Sequence, residues 1–331
     1  MTRTAARQEE IHFRTSGSTG VPRHWFRLPH QMESEVDLIG RHLVGVVDEV
    51  INYAPPRHLF GALFGEWLPR MRQVRVHQAW ADPFEPCSVA PGARVLVVCI
   101  PMAWELLRRG WPALERARSV VALHSSATVP AAAYELVRQA SPLLRAHEIL
   151  GATETGGIAH RPLAPDGDGT REWQAFPDVS LVRDAEGSAG GPEELVIRSP
   201  RLGRPENDPR PPDRWTTGDL VEFTGPRAFR LVGRATSLIK VNGIKVHLAR
   251  VDEQLSTRLP DTECVALALP EDALTGEGYA VFWTGRRRGV EVADIRAALL
   301  GFPSPAKIVE MDRIPRTDTG KPDRQALLAA L

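Results

Sequence analysis

Arg94-Val95-Leu96-Val97-Val98-Cys99-Ile100 is an apolar run without polar alternation, closed by Pro101. A strand with one wet face alternates; a run apolar on both faces reads as a strand buried in a parallel sheet. Downstream, residues 104–109 read as a helix, 120–123 as a second such strand, 131–139 as a helix and 148–150 as a strand stopped at Gly151. Strand and helix in alternation predict an α/β fold with a parallel or mixed sheet. Upstream, residues 11–14 alternate like a strand, residues 24–28 look extended, and Val36, Ile39, Leu43, Val46, Val47 and Val50 fall at helical spacing, predicting a helix over 33–50.

Composition shifts after Gly157. Short β runs at 179–182 and 195–198 lie between Gly/Pro turns and suggest a β subdomain, and four prolines in residues 204–214 mark a surface loop. Beyond Gly233 a second strand-and-helix pattern begins, with strands at 237–241, 264–269 and 279–283 and helices at 248–259 and 292–300. The expected organisation is a large domain over 1–234 followed by a small α+β domain over 235–331, which suits the 331-residue length.

Lys plus Arg and Asp plus Glu number 41 each, so the chain has no general basic excess for nucleic acid or an acidic membrane. Hydrophobic residues at 43% and charged residues at 25% exclude disorder over most of the length. Cys87, Cys99 and Cys264 form neither a zinc spacing nor a disulfide framework. The longest apolar run, 95–104, contains Pro101 and is far below the roughly 20 residues a membrane span needs. The first residues carry charges and no apolar leader, so a cytoplasmic protein is expected.

Thr15-Ser16-Gly17-Ser18-Thr19-Gly20-Val21-Pro22-Arg23 is the segment richest in chemistry. Glycines let successive N–H groups turn inward as an anion nest, hydroxyls add donors, and Arg23 adds charge. A polyphosphate suits that set. The spacing is not that of the P-loop, and a flexible Ser/Gly turn is the plainer alternative.

This loop resembles the phosphate loop of the AMP-forming acyl- and aryl-acid ligases, Thr-Ser-Gly-Ser-Thr-Gly-x-Pro-Lys. Other motifs follow in that family's order, spread over residues 13–324. Arg57-His58-Leu59-Phe60-Gly61 resembles the motif bordering the acyl pocket. Ser125-Ser126-Ala127 resembles the turn beside adenine, and Leu150-Gly151-Ala152-Thr153-Glu154 the Tyr-Gly-x-Thr-Glu motif. Thr216-Thr217-Gly218-Asp219 resembles the Thr-Gly-Asp motif. Gly233-Arg234, then Ile239-Lys240 and Gly243, resemble the hinge with its following loop. Pro315-Arg316-Thr317-Asp318-Thr319-Gly320-Lys321 resembles the C-terminal lysine loop. Residues 148–161 look closest to a branch that loads aromatic acids, such as a hydroxybenzoate, onto carrier proteins in aryl-polyene and xanthomonadin-type pathways.

The resemblance implies ATP-dependent activation of a carboxylic acid, aromatic or fatty, to an acyl-adenylate. Transfer to the thiol of coenzyme A or of an acyl carrier protein's phosphopantetheine follows. It implies Mg²⁺ on Glu154, ribose contacts from Asp219 and Arg234, a hinge at Thr236, and a mobile C-terminal domain. That domain alternately presents Lys321 for adenylation and the 240–243 loop for thiolation. It also places nucleotide contacts on residues 15–20, Arg23, Ser126, Ala127, Gly151, Ala152 and Thr153, and an acyl-pocket role on His58. Read singly, Glu154 is more simply a solvated loop acid, Arg234 a surface charge, Lys321 a tail lysine and His58 an ordinary histidine, while Asp219 is equally a turn residue. Departures stand at Arg23 for lysine, Leu150 for the adenine-stacking aromatic and Thr236 for the hinge acid. The family's large subdomain ahead of the phosphate loop has no counterpart in residues 1–14, and an apolar face so uncovered would favour a homodimer. The alternatives are a non-catalytic nucleotide- or carrier-binding remnant and an adenylate former that makes no thioester.

Overall fold

The computed structural model describes residues 9–15, 23–85, 87–164, 172–183, 191–235, 238–241, 243–260, 262–269, 277–285, 289–317 and 321–331. They form two compact units. One comprises Met1–Val182, Val196–Trp215 and Thr224–Ala228; the other comprises Arg183–Leu195, Thr216–Phe223 and Phe229–Leu331.

The first unit begins with the antiparallel pair β1 (Ile11–Thr15) and β2 (Arg23–Arg27), in which Thr15 lies opposite Arg23. Helix α1 (Pro29–Ile39) continues through a π-helical turn to Val44 and stops at Gly45, whose φ of 75° no helix accommodates. The helix expected over 33–50 is therefore too long. Val46 is 65% exposed, and Val50 belongs to β3 (Glu49–Asn52). Then come α2 (Leu59–Ala62), a π turn, α3 (Leu68–Arg72) and β4 (Arg75–His77). β5 (Arg94–Cys99), α4 (Pro101–Gly110), β6 (Ser119–His124), α5 (Ala131–Ala140) and β7 (Leu144–Ala152) agree in type and order with the sequence reading.

Within this unit the strand order is β4-β3-β5-β6-β7, continued by β8 (Gly156–Pro162) and β9 (Trp173–Ala175). Neighbours from β4 to β7 are parallel; β8 and β9 add antiparallel pairs, so the sheet is mixed. Leu96, Val97, Val98 and Cys99 are wholly buried, as a strand covered on both faces requires. β7 runs beyond the Gly151 at which the sequence reading ended it, and turns directly into β8. β10 (Ser180–Val182) pairs with β11 (Glu193–Arg198). β12 (Arg204–Pro205) pairs with β2 at the start of the proline-rich loop.

The second unit takes in most of the antiparallel pair β13 (Trp215–Phe223) and β14 (Ala228–Arg234). A hairpin of β15 (Leu238–Val241) and β16 (Ile244–His247) follows, then α6 (Leu248–Arg258). β17 (Cys264–Ala268), β18 (Tyr279–Trp283) and β19 (Lys307–Glu310) form a three-stranded sheet accompanied by α7 (Val292–Ala298) and α8 (Arg324–Ala329). β18 is buried on both faces. Tyr279, Val281 and Trp283 pack with Val251, Leu255 and Ile295, whereas Ala280 and Phe282 pack with Ile314 and Leu327. Cys87, Cys99 and Cys264 are free thiols. Among the described residues no helix is long and apolar enough to cross a membrane.

Candidate active site

In an open parallel sheet, loops that leave the carboxyl ends of the strands share one edge, where ligands gather. Here that edge collects three of the segments singled out in the sequence. β3 ends at Asn52 and leads to His58; β6 ends at His124 and leads to Ser125-Ser126-Ala127; β7 ends at Ala152 and leads to Glu154. Cys99, His124 and Glu148 are register neighbours, so β7 extends past β6 and carries Glu154 beyond the other strand ends.

Glu154 sits half-buried in a tight turn between β7 and β8, not in a crossover loop. The Thr155 N–H donates to the Ala152 carbonyl, and the Thr155 hydroxyl accepts from the Ala152 N–H at 3.1 Å. Gly151 is required here, since a Cβ would lie 2.5 Å from the Gly156 carbonyl oxygen. Gly156 has φ 69°, and a Cβ on it would lie 2.6 Å from the Glu35 carboxylate.

The turn is anchored from both sides. The Gly203 N–H donates to the Glu154 carbonyl at 2.8 Å, and the Gly157 N–H donates to Glu35 Oε1 at 2.7 Å. Glu35 belongs to a buried charge cluster. Arg27 Nη1 donates to its Oε2 at 2.6 Å, Arg201 Nη1 lies 3.4 Å from its Oε1, and Arg201 Nη2 donates to Asp178 at 2.7 Å. Arg27 also donates to the Arg201 carbonyl. Burial pushes the Glu35 carboxyl upward, but Arg27, Arg201 and the Gly157 N–H together outweigh it and hold the group below its ordinary value. Removing one member of such a buried pair costs about 3–5 kcal/mol, because the other charge is left uncompensated. Gln31 completes the anchor, donating to the carbonyls of Pro200 and Leu202.

Sequence reading missed Arg27, Glu35, Asp178 and Arg201. One signal was present: Gln31 and Glu35 are polar residues on the same buried face of α1 as Met32, Val36 and Ile39. A charge in an apolar stripe implies a buried partner.

At the end of β6, Ser125 Oγ donates to the Ile149 carbonyl at 3.0 Å, and Ser126 adopts φ 87°, rare for a residue with a side chain. His58 is half-buried and precedes α2; its N–H donates to the Pro55 carbonyl at 3.1 Å. Gly61, in the same motif, packs against the Ala54 and Pro55 backbone so closely that no Cβ fits. At the two ends of the 15–23 segment, the Thr15 hydroxyl donates to the Arg23 carbonyl at 3.3 Å. Ser16, Gly17, Ser18, Thr19 and Gly20 lie outside the described residues.

The second unit brings together Asp219, Arg234 and Lys321. Arg234 Nε lies 2.9 Å from Asp219 Oδ1 across the β13–β14 pair, and the Asp219 N–H donates to Thr217 Oγ1 at 3.1 Å. Asp219 is 4% exposed. Burial raises its carboxyl above the ordinary value, opposed by Arg234, Thr217 and the Lys321 ammonium. The Lys321 loop is closed by a bond from the Thr317 N–H to the Lys321 carbonyl at 2.8 Å. Lys240 stands in β15 rather than in a loop, its N–H held by Glu277, and Gly243 occupies the β15–β16 turn at φ 84°. Thr236 lies outside the described residues.

Among the described residues no group of three or more His, Cys, Asp or Glu side chains could hold a metal. A single turn carboxylate such as Glu154 fits Mg²⁺ only in company with phosphate oxygens and water, which is how that ion is usually held.

No family model matches the chain. It is 30% identical over 314 residues to a 4-coumarate–CoA ligase of Rhodobacter capsulatus, covering 92% of this chain and 72% of that protein. It is 28% identical over 261 residues to a 4-coumarate–CoA ligase of Halorhodospira halophila, covering 77% of this chain and 57% of that one. Its fold is similar to that of O-succinylbenzoate coenzyme A synthetase from Bacillus subtilis, solved in complex with ATP and magnesium ion. The TM-score is 0.73 at 17% identity, over 98% of this chain and 73% of that one.

Proposed function

Because the chain belongs to the family of AMP-forming acid–CoA ligases, we propose that it activates a carboxylic acid with ATP and passes the acyl group to a thiol. In the first half the substrate carboxylate attacks the α-phosphorus, the bond to pyrophosphate breaks, and an acyl-adenylate forms. In the second half a thiolate attacks the acyl carbon and AMP departs. The observation that carries the reading is the convergence of the His58, Ser125–Ala127 and Glu154 segments at one carboxyl edge.

Such a reaction is catalysed mainly by positioning and charge stabilisation. Residues 15–20 and Arg23 hold the leaving pyrophosphate. The 125–127 turn and residues 151–153 receive the nucleotide, with Ser126 and Ala127 beside adenine. Asp219 accepts from the ribose hydroxyls, and Arg234 both orients it and adds a cationic contact. Lys321 supplies its ammonium to the oxygens around the reacting phosphorus. His58 borders the acyl pocket. Glu154 holds Mg²⁺, which when bound neutralises phosphate charge. We assign the nucleotide and acyl sites to residues 1–234. Residues 235–331 form the mobile part, turning about Thr236 to bring Lys240 and Gly243 to the thiol step.

The substrate we favour is an aromatic acid, a hydroxybenzoate first. The likeness of residues 148–161 to the pigment-pathway branch supports it, as does the naming of both curated relatives for the aromatic acid 4-coumarate. The acceptor is a phosphopantetheine thiol, on coenzyme A or on a carrier protein, and the free thiols fit a reducing cytoplasm. A hydroxylamine-trapping screen of aromatic and fatty acids with ATP and Mg²⁺ tests the reading. Hydroxamate from an aromatic acid is expected. ATP binding without hydroxamate from any acid would favour the nucleotide-binding remnant instead.

A further inference from the structure

His124 is the last residue of β6 and is fully buried. Its Nδ1 accepts from Trp104 Nε1 at 3.0 Å, and its Nε2 lies 2.8 Å from the Ala127 carbonyl oxygen. A carbonyl only accepts, so Nε2 carries the proton. The Trp104 indole only donates, so Nδ1 is bare. Trp104, on α4, thus selects one tautomer, and that tautomer closes a ring from residue 124 to residue 127. Enclosed in the ring is Ser126, the residue held at φ 87°. Isolated serine avoids that conformation, so the surroundings must impose it. Ser125, bonded to Ile149, fixes the near side of the turn; the imidazole fixes the far side.

We propose that His124 is a positioning residue for the nucleotide, locked as the Nε2–H tautomer by Trp104 and holding the 125–127 turn in its binding shape. The proposal deepens the functional reading and rests on its assignment of that turn to the nucleotide. A protonated imidazole would face the Trp104 N–H with a second proton, and burial accordingly lowers the His124 pKa to about 4, only partly offset by the Ala127 bond. The clamp is therefore intact at neutral pH.

The test uses the full chain and titrates ATP and AMP calorimetrically into wild type, His124→Gln, His124→Leu and Trp104→Phe. Glutamine can accept from the indole and donate to the carbonyl; leucine can do neither. We expect ATP affinity to fall about tenfold in His124→Leu and to stay within about threefold of wild type in His124→Gln. Spectra of ¹⁵N-histidine-labelled protein should show the Nε2–H tautomer in wild type; in Trp104→Phe the Ala127 carbonyl still holds that proton, while the bare Nδ1 loses its donor and its ¹⁵N resonance shifts. Trp104→Phe leaves the imidazole in place, and serves if His124→Leu does not fold. A histidine with a merely structural role would lower the melting temperature in both His124 variants and leave their ATP affinity unchanged. That result, or an Nδ1–H tautomer in wild type, overturns the proposal. If wild type itself binds no ATP, the functional reading falls and the positioning role with it; if wild type and His124→Leu bind equally, only the positioning role falls.

Discussion

Replacing Gly61 with alanine probes how tightly the segment after β3 is packed, and the structure supplies the size of the effect. A Cβ at Gly61 would lie 2.7 Å from the Pro55 carbonyl carbon and nearer still to the oxygens of Ala54 and Pro55, where ordinary contact begins at 3.4 Å. The obstacles are backbone atoms, so no rotamer change relieves them; α2 must move away from residues 54–55 by about 1 Å to restore ordinary contact. That movement pulls on the His58 carbonyl, which accepts from Ala62 at 2.9 Å. Overpacking of this kind costs about 3 kcal/mol, which for a unit of this size lowers the melting temperature by about 6–12 °C. Gly110 is the control. It ends α4 at φ −85° with nothing within 4 Å of its notional Cβ. Gly110→Ala should stabilise by about 0.5 kcal/mol through loss of unfolded-state freedom. Urea unfolding followed by tryptophan fluorescence and far-UV circular dichroism compares the two variants. If Gly61→Ala unfolds within about 0.5 kcal/mol of wild type, or if both substitutions shift the midpoint in the same direction, the packing argument is wrong.

Ser126→Gly removes the cost of a positive φ, less the extra freedom of an unfolded glycine, and should raise stability by about 0.5–1 kcal/mol in the same assay; a loss would contradict the strain. Asp219→Ala leaves Arg234 in solvent and should weaken ATP binding with little change in melting temperature, so unchanged calorimetric affinity counts against the ribose role. Lys321→Ala is expected to abolish acid-dependent pyrophosphate exchange while ATP still binds, and equal exchange in variant and wild type would refute that. Burial of Asp252, against which the Ala266 N–H bond works, raises its pKa from 3.8 to about 7. The folded state then holds a proton that the unfolded chain has lost, so this group's contribution to stability falls as pH rises from about 4 to about 7. Asp252→Asn keeps an acceptor for Ala266 without titrating. Its stability advantage over wild type should grow across that window and level off above it, as urea midpoints at each pH would show.

The parallel core was readable because β5 and β6 are apolar on both faces, a pattern few other elements share. The end of α1 was not, because Leu43, Val46, Val47 and Val50 continue the helical spacing although Gly45 has already broken the helix. A helix period and a short buried strand can use the same apolar residues. The β7–β8 hairpin was hidden for another reason: its turn, Thr153-Glu154-Thr155, contains none of the Asn-Gly or Asp-Gly pairs that announce hairpins. In the site, residue types with a known spacing were legible through resemblance, whereas partnerships made by the fold were not. Asp219 meets Arg234 only because the register shifts between Leu220 and Val221. His124 reads as one more polar residue ending a strand until Trp104 and Ala127 are found on either side of it.

The cluster joining Arg27, Glu35, Asp178 and Arg201 also bears on how the protein is made. Its members are separated by as many as 174 positions along the chain, and the buried ones, Arg27, Glu35 and Arg201, are tolerable away from water only when their partners are in place. A nascent chain leaving the ribosome passes through a long interval in which Arg27 and Glu35 have emerged and Arg201 has not. During it Arg27 and Glu35 lack the Arg201 charge that accompanies their burial in the folded protein. The Glu154 turn is fastened through Gly157 to Glu35 and directly to the Gly203 N–H, two residues past Arg201, so both of its anchors are complete only once residues 201–203 have been made.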